Sequence, residues 1–166
     1  MMEGIVITPY REEFQAQVAA LVTSIQQEFG VPVTYEDQPD LKNIPGVYKQ
    51  HSGNFWVALD GDTVIGTIAL IDRGEHTGVL RKMFVHPNYR GADKGVGKAL
   101  LDMLLNWSKE HSIHDIFLGT NDLLAGARRF YEKNGFQLIE NDAMPPQVMA
   151  IRMAVDNRHY RKELAA

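Results

Sequence analysis

The stretch Val85-His86-Pro87-Asn88-Tyr89-Arg90-Gly91-Ala92-Asp93-Lys94-Gly95-Val96-Gly97-Lys98-Ala99-Leu100-Leu101 decides how the rest of the chain is read. The run Val79 to Val85 leads into it as a strand, closed by His86-Pro87. On its far side Val96, Leu100, Met103, Leu104 and Trp107 follow one face of a helix. Between them lies a glycine-rich loop, Arg90 to Gly97. Glycine permits positive φ and lets backbone approach a ligand closely. The first N–H groups of the helix lack intrahelical partners, and with the helix dipole they favour an anion. Arg90, Lys94 and Lys98 add positive charge. The physical reading is a pyrophosphate cradle built from the amides between Tyr89 and Lys98, with Gly91, Gly95, Val96 and Gly97 at its centre.

Two other phosphate loops are tested by counting. An NTPase phosphate loop needs G-x-x-x-x-G-K followed by Ser or Thr. From Gly91 the second glycine falls on Val96, and Gly97-Lys98 is followed by Ala99, so that reading fails. The dinucleotide fingerprint G-x-G-x-x-G is met at Gly95 and Gly97 but has Leu100 in the last place. Asp115 stands near the spacing of a ribose-binding acid. That coincidence is cheap, and the loop follows strands that look antiparallel.

Outward from the loop, Gly4 to Thr8 reads as a short strand stopped by Pro9. Phe14, Val18, Leu21, Val22, Ile25 and Phe29 form a helical stripe over Glu12 to Phe29, ended by Gly30 and Pro32. Leu41 to His51 holds room for a second, short helix. Phe55 to Leu59 and Thr63 to Ile71 pair as a hairpin about Asp60-Gly61-Asp62. Asp115 to Leu118 is a strand, and Asp122 to Asn134 a helix with Gly135 as its stop. Phe136 to Ile139 and Met149 to Val155 are expected as the last strands. The charged tail after Asp156 is expected at the periphery. Hairpin-type strands followed by strand–helix–strand predict an α/β (α+β) fold: a mixed, mostly antiparallel sheet of six to seven strands flanked by about four helices.

With 166 residues the chain suits one domain, 1–166, with a sizeable core. Its 45% hydrophobic and 23% charged residues are those of a soluble globular protein. A net charge of −4 lowers the case for nucleic acid. The absence of cysteine excludes disulfides, thiolate metal sites and a cysteine nucleophile, and suits a cytoplasmic setting. No signal peptide or membrane span is visible, so no membrane partner is expected.

The loop resembles the V-x-P-x-Y-R-G-x-G-x-G-x-x-L-L signature of the GNAT family of N-acetyltransferases, through Val85, Pro87, Tyr89, Arg90, Gly91, Gly95, Gly97, Leu100 and Leu101. Between the first two glycines stand three residues, Ala92, Asp93 and Lys94, where the family has one. Ala127-Arg128-Arg129-Phe130-Tyr131-Glu132-Lys133-Asn134-Gly135-Phe136 is similar to the family's A-x-x-[LF]-Y-x-x-x-G-F segment, with Leu124 where an Asn is common. The resemblance covers nearly the whole chain. It implies acetyl-CoA as co-substrate, with backbone of Phe84 and Val85 against the pantetheine arm. The loop residues Arg90, Gly91, Lys94, Gly95, Val96, Gly97 and Lys98 would take the pyrophosphate. It implies direct transfer to a primary amine of a small molecule or peptide, without metal. A homodimer is left open, since terminal strands commonly support dimers in this family.

By the same resemblance Tyr131 is the acid that protonates the departing thiolate. A phenol can donate one strong hydrogen bond, as that role requires. Its bland alternative is a tyrosine packed between helix and sheet. The base is expected on or before the cofactor strand. Val79 occupies the inner place, so Glu75 is ranked first and His76 after it. A solvated turn explains both equally simply. His111, His114 and Asp115 carry too few ligands for a metal site. Phe29, Tyr35 and Trp56 are candidates for the acceptor wall, Trp56 more simply as core. A non-catalytic acyl-CoA sensor and a nucleotide-binding protein stay open at this point.

Overall fold

A computed structural model describes residues 4–124 and 126–165. In chain order the elements are β1 (Ile5–Pro9), α1 (Gln15–Glu28), α2 (Pro39–Lys42), α3 (Ile44–Tyr48), β2 (Asn54–Asp60), β3 (Thr63–Asp72), β4 (Thr77–Val85), α4 (Val96–Glu110), β5 (Asp115–Thr120), α5 (Ala127–Lys133), β6 (Gln137–Ile139), α6 (Pro146–Met149) and β7 (Arg158–Glu163). The strands form one seven-stranded sheet in the order β1-β2-β3-β4-β5-β7-β6. Every neighbouring pair is antiparallel except β4 and β5. That parallel pair is joined by α4 as a crossover, the connection parallel strands require.

Strand alternation divides the core in two. Phe55, Val57, Ala69, Val79 and Phe117 face α1, α2 and α3, where Val18, Val22, Leu41 and Tyr48 are buried. Trp56, Ala58, Ile68, Leu80 and Leu118 face the other way, against Leu100, Leu101 and Leu104 of α4 and Tyr131 and Phe136. The central strands β2 and β3 are therefore apolar on both faces, and their sequences run without polar alternation.

β4 departs from regular pairing in the middle. Against β3 it pairs Arg81 with Ala69 and Phe84 with Thr67, so Lys82 and Met83 together oppose one residue. This is a β-bulge, and Lys82 takes φ 52° to make it. A side chain with a Cβ pays roughly 1–2 kcal/mol for that conformation. The buried Thr67 Oγ1 donates to the Lys82 carbonyl at 2.6 Å and holds the bulge. On the other edge, β4 pairs with β5 only from Thr77–Asp115 to Leu80–Leu118. Beyond Leu80 the two strands part and leave a fork.

The C-terminal third differs from the sequence expectation. Met149 closes α6, residues 150–157 form an irregular strap, and the last strand is Arg158–Glu163. The segment expected at the periphery instead lies between β5 and β6, with His159 and Tyr160 buried. Its charges are paired: Arg161 binds both oxygens of Asp115 at 2.7 and 2.8 Å, and Lys162 Nζ donates to Asn134 O at 3.0 Å. The helix expected over Asp122 to Asn134 begins only at Ala127. The short helix expected over Leu41 to His51 is two helices parted at Asn43, whose Oδ1 accepts from Gly46 N–H at 3.1 Å.

If Thr67 holds the bulge, Thr67→Val leaves the Lys82 carbonyl without its buried donor. The expected cost is about 1–3 kcal/mol, read as a lower denaturant midpoint at unchanged slope.

Candidate active site

The fork opens onto a cavity of about 80 Å³, lined by Leu80 to Phe84 on β4, Gly119 and Thr120 on β5 with Asn121 just past it, Gln26 on α1, Tyr131 on α5 and Met153, Val155 and Asp156 on the strap. It passes between the sheet's two faces, because Tyr131 belongs to the α4 side and Gln26 to the α1 side.

The glycine-rich loop stands at the C-terminal end of β4. Gly95 adopts φ 73° immediately before α4. The Lys94 and Gly95 N–H groups turn back to the Gly91 carbonyl at 3.1 and 3.4 Å. The helical ladder resumes at Ala99 N–H to Gly95 O, 3.0 Å. The N–H groups of Val96, Gly97 and Lys98 are thus the first-turn donors of α4, free of partners among the described residues. Gly97 lies beside the Met83 and Phe130 side chains, where an added Cβ would make only ordinary contacts.

The three cations of the loop are placed differently from one another. Arg90 is committed elsewhere: its guanidinium grips Glu28 at 2.8 and 2.9 Å, its Nε donates to Val85 O at 2.9 Å, and it lies over the Phe29 ring. These contacts tether the loop to α1. Tyr89 adds a second tether through its hydroxyl to Asp60. Lys98 is exposed and bonded to Asp102 one turn on, at 2.6 Å. Lys94 is half-buried within the loop. Phe84 and Val85 also separate. His86 N–H pairs with Ile65 O across β3 at 2.8 Å, and Phe84 pairs with Thr67. By strand alternation the Phe84 backbone faces β3, while the Val85 N–H faces the open edge.

Tyr131 is buried, its ring held edge-on by Phe130 and Phe136, each with centroids 5.6 Å away. Its hydroxyl makes no hydrogen bond to any described residue and lines the cavity. Burial, with the nearby Asp156 carboxylate adding to it, pushes the phenol well above its ordinary pKa. At neutral pH it is a proton donor aimed at the fork.

Glu75 is not among the residues lining the fork cavity. It lies in the exposed turn before β4, at φ 52°, six residues and roughly 20 Å of strand from Arg81. His76 shares that end, its Nδ1 2.8 Å from Ser112 O and its ring stacked on His114. His111 instead stacks on Trp107. Trp56 is core, and Phe29 and Tyr35 are half-buried beside the α1 side of the sheet.

Sequence reading missed the polar floor of the cavity. The bulge turns Lys82 inward, where its Nζ meets Gln38 Oε1 at 2.6 Å and Asp40 Oδ2 at 3.3 Å. Gln38 and Gln26 exchange two amide hydrogen bonds of 2.9 Å, and the Tyr48 hydroxyl donates to Asp40. Burial pulls the Lys82 ammonium below its usual pKa, with Asp40 opposing that. No single-sequence signal marks these residues, since α2 and α3 are too short to show a period. The strap is stitched to the same place. Arg81 donates to Ile151 O, Asn121 to Val155 O, and Asn157 N–H to Thr120 O at 2.9 Å.

A loop, a helix start, a forked parallel pair and a buried tyrosine hydroxyl in one cleft agree with the comparison to known proteins. A family model described as Acetyltransferase (GNAT) family matches residues 18–136. The chain belongs to the GNAT family of acetyltransferases. The N-acetylaspartate synthetase of Xenopus tropicalis is 32% identical over 129 residues, 74% of this chain and 47% of that protein. The Homo sapiens protein of the same name is 34% identical over 132 residues, 75% of this chain and 43% of that one. The chain thus spans about half the length of the curated relatives it matches. A GNAT-family acetyltransferase from Staphylococcus aureus Mu50 superposes with a TM-score of 0.90 at 36% identity, covering 97% of this chain and 99% of that one. The N-acetylglutamate synthase of Neisseria gonorrhoeae, solved with coenzyme A and N-acetyl-glutamate, shares the fold at a TM-score of 0.75 and 16% identity, over 98% of this chain and 35% of that one. No described helix of this family member is long and apolar enough to cross a membrane.

Removing the Asp40 carboxylate would strand the Lys82 charge. Asp40→Ala is expected to cost about 3–5 kcal/mol, a fall in Tm of roughly 10 °C. Without Asp40 the ammonium is held further below its unfolded pKa. Folding then binds fewer protons than unfolding, so the deficit narrows as pH rises, which thermal melts across the alkaline range would show.

Proposed function

We propose that residues 1–166 form one N-acetyltransferase domain that moves the acetyl group of acetyl-CoA onto a primary amine of a small molecule, by direct attack in a ternary complex. The observation that carries this is the open edge of β4, which runs from the first turn of α4 to the Tyr131 hydroxyl. Unpaired strand backbone offers hydrogen bonds to an extended pantetheine arm, as it would to another strand. The Val85 N–H is the donor placed for it. The pyrophosphate then falls at the Val96, Gly97 and Lys98 amides, with Lys94 and Lys98 supplying charge from the loop and helix. Arg90 acts through the loop's shape, by its hold on Glu28.

The thioester lies in the fork. A neutral amine entering from the α1 side attacks the carbonyl carbon, and the tetrahedral intermediate collapses with loss of the thiolate. Tyr131, kept protonated by burial, gives its proton to sulfur. The site contributes position and preorganised donors more than any covalent step. Arg81 and Lys82 stand beside the acceptor side of the cavity. With the relatives' name N-acetylaspartate synthetase, they direct an acceptor search first to amino acids.

The test follows free thiol released from acetyl-CoA over a panel of amines led by amino acids. Turnover with at least one is expected. Tyr131→Phe is expected to lower kcat by about 100-fold with acetyl-CoA affinity by calorimetry unchanged. Binding of acetyl-CoA without turnover on any amine would replace the enzyme with an acyl-CoA sensor. No binding at all would end both readings.

A further inference from the structure

The strap carries a carboxylate for which no structural partner exists among the described residues. Asp156 lies over Gly119, at the point where β5 leaves β4. A Cβ on Gly119 would meet Asp156 Oδ2 at 2.5 Å and its Cγ at 3.0 Å, so the absence of a side chain there is what admits the carboxylate to the fork. Phe117, two residues before Gly119, faces α1, α2 and α3, so Asp156 sits on that side of the sheet. This is the side opposite α4. Asp156 is half-buried, and it lines both the fork cavity and a smaller one of about 30 Å³ behind it.

The groups facing Asp156 come from four directions. Arg81 and Lys82 approach from β4, Tyr131 from α5, His159 from β7 and Arg152 from the strap itself. None forms a hydrogen bond or ion pair with its carboxylate. Lys82 is held by Asp40 and Gln38, and Arg81 by the Ile151 carbonyl. His159 Nε2 is buried without a partner, and burial, then Arg152, lowers its pKa and favours the neutral ring. A half-buried carboxylate that accepts nothing is costly to keep. Its place is nonetheless fixed, by Asn121 to Val155 O and by Asp156 N–H to Met153 O at 3.1 Å.

We propose that Asp156 is the general base of the transfer, taking a proton from the acceptor's ammonium group at the fork. The proposal rests on the acetyl-transfer reading and supplies the base that Glu75 is too distant to be. The balance is simple. One ammonium proton goes to the Asp156 carboxylate and then to solvent. The nitrogen lone pair forms the C–N bond, and the C–S bond breaks with its electrons on sulfur. Tyr131 protonates the thiolate, and the second proton lost by nitrogen replaces the one Tyr131 gave. Burial, opposed by Arg81 and Lys82, pushes the Asp156 carboxyl up to about 6. That places the carboxyl's midpoint just below neutral pH, so that the basic form prevails at pH 7, near the optimum for proton transfer.

The experiment is a pH profile of kcat/KM for the wild type and Asp156→Asn with one accepted amine. Acetyl-CoA affinity of both proteins is measured by calorimetry. The wild type should lose activity as pH falls through about 6, where the carboxylate takes up its proton. At pH 7 the variant should be slower by about 100-fold or more, with acetyl-CoA affinity unchanged and the midpoint near 6 replaced by a rise that follows the amine's own ionisation. The gap should narrow as pH approaches the amine's own pKa, where the acceptor arrives neutral. A variant within about threefold of wild type, or one that keeps the midpoint near 6, overturns the proposal. Failure of the wild type on every amine overturns the acetyl-transfer reading instead, and the base assignment falls with it.

Discussion

The break in pairing between β4 and β5 is the constraint on which the rest depends. A parallel pair is stable when its backbone groups are satisfied along its length, yet here pairing stops at Leu80 and Leu118. Two features flank the parting. The bulge at Lys82 and Met83 bends β4 on its β3 side, and the strap stitched to Thr120 and Asn121 turns the end of β5 toward β7. The fork exposes backbone that would otherwise be spent on the sheet. It also puts the acetyl donor's expected path through the sheet rather than along its surface.

Such an opening is expensive, and the surrounding structure shows how it is maintained. Lys82 in the left-handed region is held by Thr67 through its carbonyl and by Gln38 and Asp40 through its ammonium. The Gln26–Gln38 pair extends that network to α1, so the helix and the bulge cannot shift independently. Buried ion pairs of this kind rarely add much to stability, but removing one partner is severe. The network is better understood as fixing where the cavity floor lies than as holding the fold together. Arg90 serves a similar end at the other side of the cleft. Its two hydrogen bonds to Glu28 and its Nε–H bond to Val85 O fasten a loop two residues longer than the family pattern.

Much of this was legible in the sequence, for reasons that differ by element. The hairpin of β2 and β3 follows from two apolar runs about the Asp60-Gly61-Asp62 turn, the amphipathic α4 from its apolar periodicity, and the loop from glycine spacing. Tyr131 is read through resemblance, and the structure adds the reason it suits a donor: a ring locked by Phe130 and Phe136 with its hydroxyl unpartnered. β7 was not legible because Arg158–Glu163 is charged at most positions. Its burial comes from Tyr160 and His159 and from ion pairs with residues some 30 to 50 positions away, as Arg161 with Asp115. The apolar run Met149 to Val155 misled in the opposite sense, since Pro146 starts a helix there and the strap then serves β5. Glu75 was favoured by its proximity in sequence to a cofactor strand. Distance along an extended strand is large per residue, so a neighbour in sequence can lie at the wrong end.

The two faces of the sheet suggest why the proposed acid and base need not share a helix or a motif. Tyr131 reaches the cavity from the α4 side, among Phe136 and Tyr160. Asp156 reaches it from the α1 side, over a glycine that leaves room. In the proposed reaction the departing thiolate and the incoming ammonium are opposite in charge and meet the fork from its two faces. Groups that serve them are best kept apart, so that burial can hold the phenol protonated while Arg81 and Lys82 keep the carboxyl from rising too far. Were both on one face, each would perturb the other more strongly. The fork makes the separation possible, because beyond Leu80 and Leu118 the paired backbone of β4 and β5 no longer closes the sheet between its two sides.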